Sequence, residues 1–192
     1  MLRPALLALF LLAGTAADAF GQDAPARAVA VTFDDLPAVA VPAAARCNQE
    51  ALAAFTASLL GVVTEHAVPA AGFVVEANGA CLGADGLAAL LARWLDAGAE
   101  LGNHTYSHPS LDAVTVAEYT ADVVRGETVT RGLLEARGQR LRYFRHPMLR
   151  SGADAAKKAA VDAFLDERGY TVAPVTLDNS EWIYARAYAN AL

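Results

Sequence analysis

Thr32-Phe33-Asp34-Asp35-Leu36-Pro37 closes an apolar run that begins at Ala28. Its reading decides the fold. A run this short and this apolar, ending at turn residues, reads as a buried strand over Ala28–Phe33. The strand ends in two adjacent carboxylates. Like charges side by side repel each other unless a cation neutralises them. With a cation present the labour divides: one carboxylate ligates it and the other is free to act as a base. The ordinary alternative is a solvated turn, so the block needs company.

Working outward, strands and helices alternate. Gln49–His66 has helical spacing, with Leu52, Phe55, Leu59, Val62 and Val63 as its apolar side. Gly72–Val75 reads as a second strand. Asp85 is placed to cap a helix through Leu87, Leu90, Leu91, Trp94 and Leu95 that stops at Gly98. Glu100–Asn103 is a third strand. Thr115 and Glu118 form a capping-box pattern opening a helix to about Ala136. Leu141–Arg145 is a fourth strand, Asp154–Arg168 a helix ending at Gly169, and Tyr170–Leu177 a fifth strand. This alternation implies an α/β fold with a parallel sheet or a barrel.

Every chemistry-bearing block follows the C-terminal end of a strand. In a β/α barrel those ends share one rim, where active sites form. Asn103-His104-Thr105-Tyr106-Ser107-His108-Pro109 sets two histidines four residues apart. If the segment turns helically, both imidazoles face one way. Two imidazoles and one carboxylate hold zinc and leave a position for water or substrate. Arg145 can hold Asp34 by a charge-assisted hydrogen bond. Pro147 sets the backbone direction, so the Met148 N–H can serve as an oxyanion donor. In Asp178-Asn179-Ser180-Glu181-Trp182, Asp178 or Glu181 is a candidate partner for Arg145, and Trp182 either walls a sugar groove or packs in the core. Alone, each block has an ordinary reading as loop or surface polar residues. His66 and His146 are left out of the metal set.

Met1-Leu2-Arg3, the apolar Leu6–Ala13 and Ala17-Asp18-Ala19 form a secretory signal peptide with cleavage near Ala19–Gly21. The apolar run is shorter than the roughly 20 residues that span a bilayer. Residues 1–21 are thus expected to be removed and 22–192 to form one exported, periplasmic or extracellular domain, with no lasting membrane span. The net charge of −6 argues against a nucleic-acid partner. Cys47 and Cys81 are the only cysteines. In an exported chain they suggest a disulfide, with two buried thiols as the alternative.

Taken together and in order, these blocks resemble those of the NodB-type polysaccharide deacetylases, carbohydrate esterase family four, over roughly Val29–Tyr184. The resemblance implies an irregular β/α barrel that removes N- or O-acetyl groups from sugar polymers with a divalent metal, zinc first, cobalt or nickel as alternatives. It assigns Asp34 as catalytic base, with Asp35, His104 and His108 as metal ligands. It also assigns Arg145 as the residue that positions the base, and Met148 as the oxyanion donor. Leu36 stands where that family has Gly, Met148-Leu149 where it has Tyr-Gly, and Glu181 where it has Asp. The family's fifth motif, a Leu-x-x-His that supplies the catalytic acid, has no counterpart. The expectation is therefore a catalytic domain that is incomplete at its C-terminal side and inactive as it stands. Three rival readings remain: a same-fold hydrolase of a small cyclic amide, a non-haem iron oxygenase, and a non-catalytic glycan-binding protein.

Overall fold

The computed structural model describes residues 28–37 and 45–191. The signal segment read at 1–21 lies outside them. Strands β1 (Val31–Leu36), β2 (Ala70–Val74), β3 (Glu100–Asn103), β4 (Tyr143–Phe144) and β5 (Thr171–Val172) form one sheet in chain order. All four pairings are parallel. A doubly wound sheet reverses its order at a switch point, whereas a barrel winds one way. This sheet shows no reversal, so its strand ends share a rim.

The connecting helices are α1 (Gln49–Glu65), α2 (Gly83–Asp96), α3 (Val116–Arg125), α4 (Thr128–Glu135) and α5 (Ala155–Glu167), and α6 (Glu181–Ala191) follows β5. The capping signals locate three of them. Asn48 accepts from the Ala51 amide, Thr115 and Glu118 close both halves of their box, and Asp154 accepts from the Lys157 amide. Trp94, Leu91, Leu101, Tyr119, Val123, Phe144, Val161 and Leu165 join in one core. Full burial of each large side chain contributes about 1.5–3 kcal/mol.

Several expectations shift. The first strand is displaced to Val31–Leu36 and is largely exposed, because among the described residues it pairs only with β2. Helix α1 buries Leu52, Thr56, Leu60 and Val63, not Phe55 or Val62. These are spaced by four, four and three, the stripe of a single helical face. Helix α2 begins at Gly83, running on from a 3-10 segment at Glu76–Leu82, so Asp85 sits in its first turn rather than at its cap. The long helix read from Thr115 breaks into α3 and α4. A Cβ on Gly126 at the break would lie 2.3 Å from the Thr105 carbonyl carbon. Strands β4 and β5 keep only two ladder residues each.

Cys47 and Cys81 are disulfide-bonded, with Cα atoms 5.7 Å apart. The bond ties the start of α1 to the 3-10 segment after β2. Across a separation of 34 residues the chain-entropy model gives about 4 kcal/mol.

Candidate metal centre and active-site rim

Successive residues of a regular strand point to opposite faces, so Asp34 and Asp35 would diverge. A bulge prevents this. Phe33 pairs with Gly72 and Leu36 with Val74, so three steps of β1 run against two of β2. Asp35 takes the left-handed conformation, φ 64°, and its carbonyl accepts from the Asn78 side-chain Nδ2 at 3.1 Å. Both carboxylates then reach the same imidazole. Asp34 Oδ2 is 3.9 Å and Asp35 Oδ1 3.8 Å from His104 Nε2.

His104 follows β3 and is buried. Its Nδ1 lies 2.8 Å from the Arg145 carbonyl. A carbonyl only accepts, so Nδ1 carries the proton. Burial pushes the His104 pKa below its ordinary value, against the attraction of Asp34. The neutral ring therefore turns the Nε2 lone pair toward two carboxylates. Lone pair facing carboxylate is repulsive unless a cation lies between them. His108 comes in from the far side of the loop, its Nε2 3.3 Å from Asp35 Oδ1. The ligand atoms of Asp35, His104 and His108 all lie within 4.8 Å of one another. Two ligands at about 2.1 Å from one tetrahedral zinc are separated by roughly 3.4 Å. The set fits a divalent ion.

Arg145 is 2% exposed. Its guanidinium stacks on Phe73 at 4.0 Å and donates to Asp34 Oδ1 and Thr32 Oγ1, each at 2.7 Å. Its Nε donates to the Ala173 carbonyl at 3.2 Å. The residue just after β5 thus contributes a backbone carbonyl to Arg145. The pairing expected with Asp178 or Glu181 does not occur, because both are exposed and make only local hydrogen bonds. Trp182 is exposed as well, with Arg186 over its ring, so it is not core. Met148 is exposed in a left-handed turn, φ 54°.

His146 is buried and stacked on Tyr119, whose hydroxyl meets its Nδ1 at 2.9 Å. Burial pushes its pKa down to about 4, so at neutral pH the ring is the uncharged imidazole. Sequence reasoning missed the supporting residues. Thr32 shares Arg145, and Asn103 accepts from the Thr105 amide at 2.7 Å while donating to Tyr170. Thr105 Oγ1 accepts from the His108 amide at 3.0 Å. Thr32 and Asn103 meet partners 113 and 67 residues away, beyond the reach of local spacing.

Residues 21–164 match a family model described as polysaccharide deacetylase. A peptidoglycan-N-acetylglucosamine deacetylase of Bacillus cereus is 30% identical over 105 residues, 55% of this chain and 31% of that protein. The chitin deacetylase of Colletotrichum lindemuthianum superposes with a TM-score of 0.59 at 27% identity, covering 80% of this chain and 57% of that one. A family 4 carbohydrate esterase of Streptomyces lividans gives 0.60 at 22% identity, with 81% and 66% covered. The chain spans about a third of the curated relative's length.

Proposed function

This chain belongs to the polysaccharide deacetylase family, and from that premise we propose that it forms the metal-binding part of a hydrolase that removes N- or O-linked acetyl groups from a cell-wall or extracellular polysaccharide. The observation that carries the proposal is the convergence of Asp34 and Asp35 on His104 beside His108. A divalent ion held by Asp35, His104 and His108, zinc by its donor set and with cobalt or nickel compatible, would polarise an acetyl carbonyl and acidify a water near neutral pH.

The chain's own groups do the rest. Arg145 occupies Asp34 Oδ1, which leaves Oδ2, on the histidine side, to take a proton from the attacking water. The Arg145 carbonyl holds the His104 tautomer, as partners behind metal ligands do. The Met148 N–H is the proposed donor to the developing oxyanion, and the exposed Trp182 offers a face for a sugar ring. Asp178 and Glu181 have no role at the Arg145–Asp34 pair in this reading. Export is supported by the reading of residues 1–21 and by the Cys47–Cys81 disulfide, a bond that persists in oxidising compartments. Among the described residues no helix is long and apolar enough to cross a membrane.

The test separates metal from base. One zinc per chain is expected in the wild type and in Asp34→Asn, and none in Asp35→Asn. Asp34→Asn should abolish acetate release from N-acetylglucosamine oligomers. Zinc bound equally by Asp35→Asn, or acetate release surviving Asp34→Asn, overturns the assignment. Glycan binding without any acetate release in the wild-type product would favour a non-catalytic glycan-binding protein instead.

A further inference from the structure

The segment between the two imidazoles is pinned from two sides: the Tyr106 carbonyl accepts from the Ala77 amide at 3.0 Å, and α3 holds its amides. Asp122, in the last turn of α3, accepts from the Tyr106 amide at 3.0 Å and the Ser107 amide at 2.9 Å through Oδ2. Its Oδ1 accepts from the Ser107 hydroxyl at 2.9 Å, and its backbone carbonyl accepts from the Tyr106 amide at 3.1 Å. One turn on, the Arg125 guanidinium lies 3.5 Å from the centre of the Tyr106 ring. Gly126 then brings the chain against the Thr105–Tyr106 backbone, so closely that a Cβ there would clash with it.

These contacts do nothing for α3 itself. The helix is capped at its start by Thr115 and Glu118. A carboxylate near a helix C-terminus faces the negative end of the dipole, which is unfavourable. Nor does burial demand the bonds at Ser107, which is exposed and whose amide water can reach. What the clamp holds is a loop in a conformation that L residues avoid: Thr105 has φ 69° and His108 φ 59°. Left-handed non-glycine residues persist only where their surroundings over-determine them. In this loop those two torsions aim His108 at Asp35.

We infer that Asp122 is a positioning residue for the metal centre, acting through the Tyr106–Ser107 backbone to hold His108 in ligating register with His104 and Asp35. The inference rests on the reading of those three residues as a metal site. The Asp122 carboxylate bonds to Tyr106 and Ser107 and not to the side chains of Asp35, His104 or His108. Its removal should loosen His108 without emptying the core.

The experiment titrates zinc into the purified protein by competition with a chromophoric chelator. Asp122→Ala should bind zinc 10–100-fold more weakly than wild type, the range found for residues one step behind metal ligands. Asp122→Asn keeps an acceptor oxygen for the two amides and should recover most of that loss. The visible absorption of the cobalt-loaded chain should change in Asp122→Ala and not in Asp122→Asn, a signature that general loosening elsewhere would not produce. Amide exchange on the metal-free wild type needs no variant: Tyr106 and Ser107 should be protected, although Ser107 is exposed. Rapid exchange at both, or zinc affinity for Asp122→Ala within twofold of wild type, overturns the inference. A wild-type chain that binds no zinc overturns the metal reading itself and the inference with it.

Discussion

The loop His104–His108 and the segment Asp178–Ala191 each follow a strand of the same sheet, yet they are held in opposite ways. In the first, the residues answer to distant partners: His104 to the Arg145 carbonyl, Tyr106 and Ser107 to Asp122, and Thr105 to Asn103. In the second, the hydrogen bonds of Asp178 and Asn179 reach only two residues along the chain, and Trp182, Ile183, Tyr184 and Tyr188 stand exposed. Charged groups converge on one another only where the backbone beneath them is held by acceptors from other elements. A block that supplies its own hydrogen bonds leaves its side chains free to face water.

The largest expected effect lies on the held side. His104→Ala and His108→Ala should each weaken zinc binding by more than about 100-fold, since two protein ligands hold zinc poorly. Asp178→Ala and Glu181→Ala should leave it unchanged. Equilibrium dialysis of the four variants settles the contrast, and a loss in Glu181→Ala as deep as in His108→Ala would erase it. The two histidines should also part company in stability. Only His104 is fully buried, and its loss strands the Arg145 carbonyl, at about 1–3 kcal/mol.

The next effect concerns acid. Burial holds His146 at about 4, against an ordinary 6.5. The unfolded chain takes up this proton near 6.5, and the folded chain only near 4. Stability from this residue is therefore complete above pH 6.5 and is lost as pH falls from 6.5 to 4. The loss is on the order of 3 kcal/mol for a gap of this size. His104, also lowered by burial, acts in the same direction. Urea unfolding at pH 7.5 and pH 5 should show the decline, and His146→Gln should flatten part of it. An unchanged pH slope in His146→Gln would mean that the buried ring on Tyr119 does not titrate as its surroundings require.

The smallest effects belong to the free segment. Trp182→Ala and Tyr188→Ala should each change unfolding free energy by no more than about 0.5 kcal/mol, as exposed positions do. A cost of several kcal/mol for either would show that this helix is anchored as firmly as the histidine loop.

Much of this was legible in the chain because the signals are local. The Thr115–Glu118 box, Asn48 and Asp154 each act within three residues. Gly98 and Gly169 end their helices with φ 82° and 74°, torsions that glycine adopts at little cost. The histidine spacing and the paired aspartates were readable for the same reason. The break at Gly126 was not. The periodicity of Val116–Arg125 runs smoothly into Thr128–Glu135, whereas at the break Gly126 packs against the Thr105 backbone and the Val129 and Thr130 amides donate to Glu76, contacts 21 to 54 residues away. Nor was the exposure of Phe55, since two apolar stripes on α1 compete and packing chooses between them.

By itself, then, the sequence determined the alternation of strands and helices, the capped helix starts, and the candidate blocks, since propensity, capping and periodicity act over one or two turns. Tertiary structure alone decided which blocks meet. The β1 bulge turns Asp34 and Asp35 to one side, Arg145 takes Asp34 rather than Asp178 or Glu181, and α3 fastens the loop that carries His108. Those outcomes depend on strand register and on hydrogen bonds across more than 15 residues of chain, where local preference exerts no force and burial, charge and backbone pairing do.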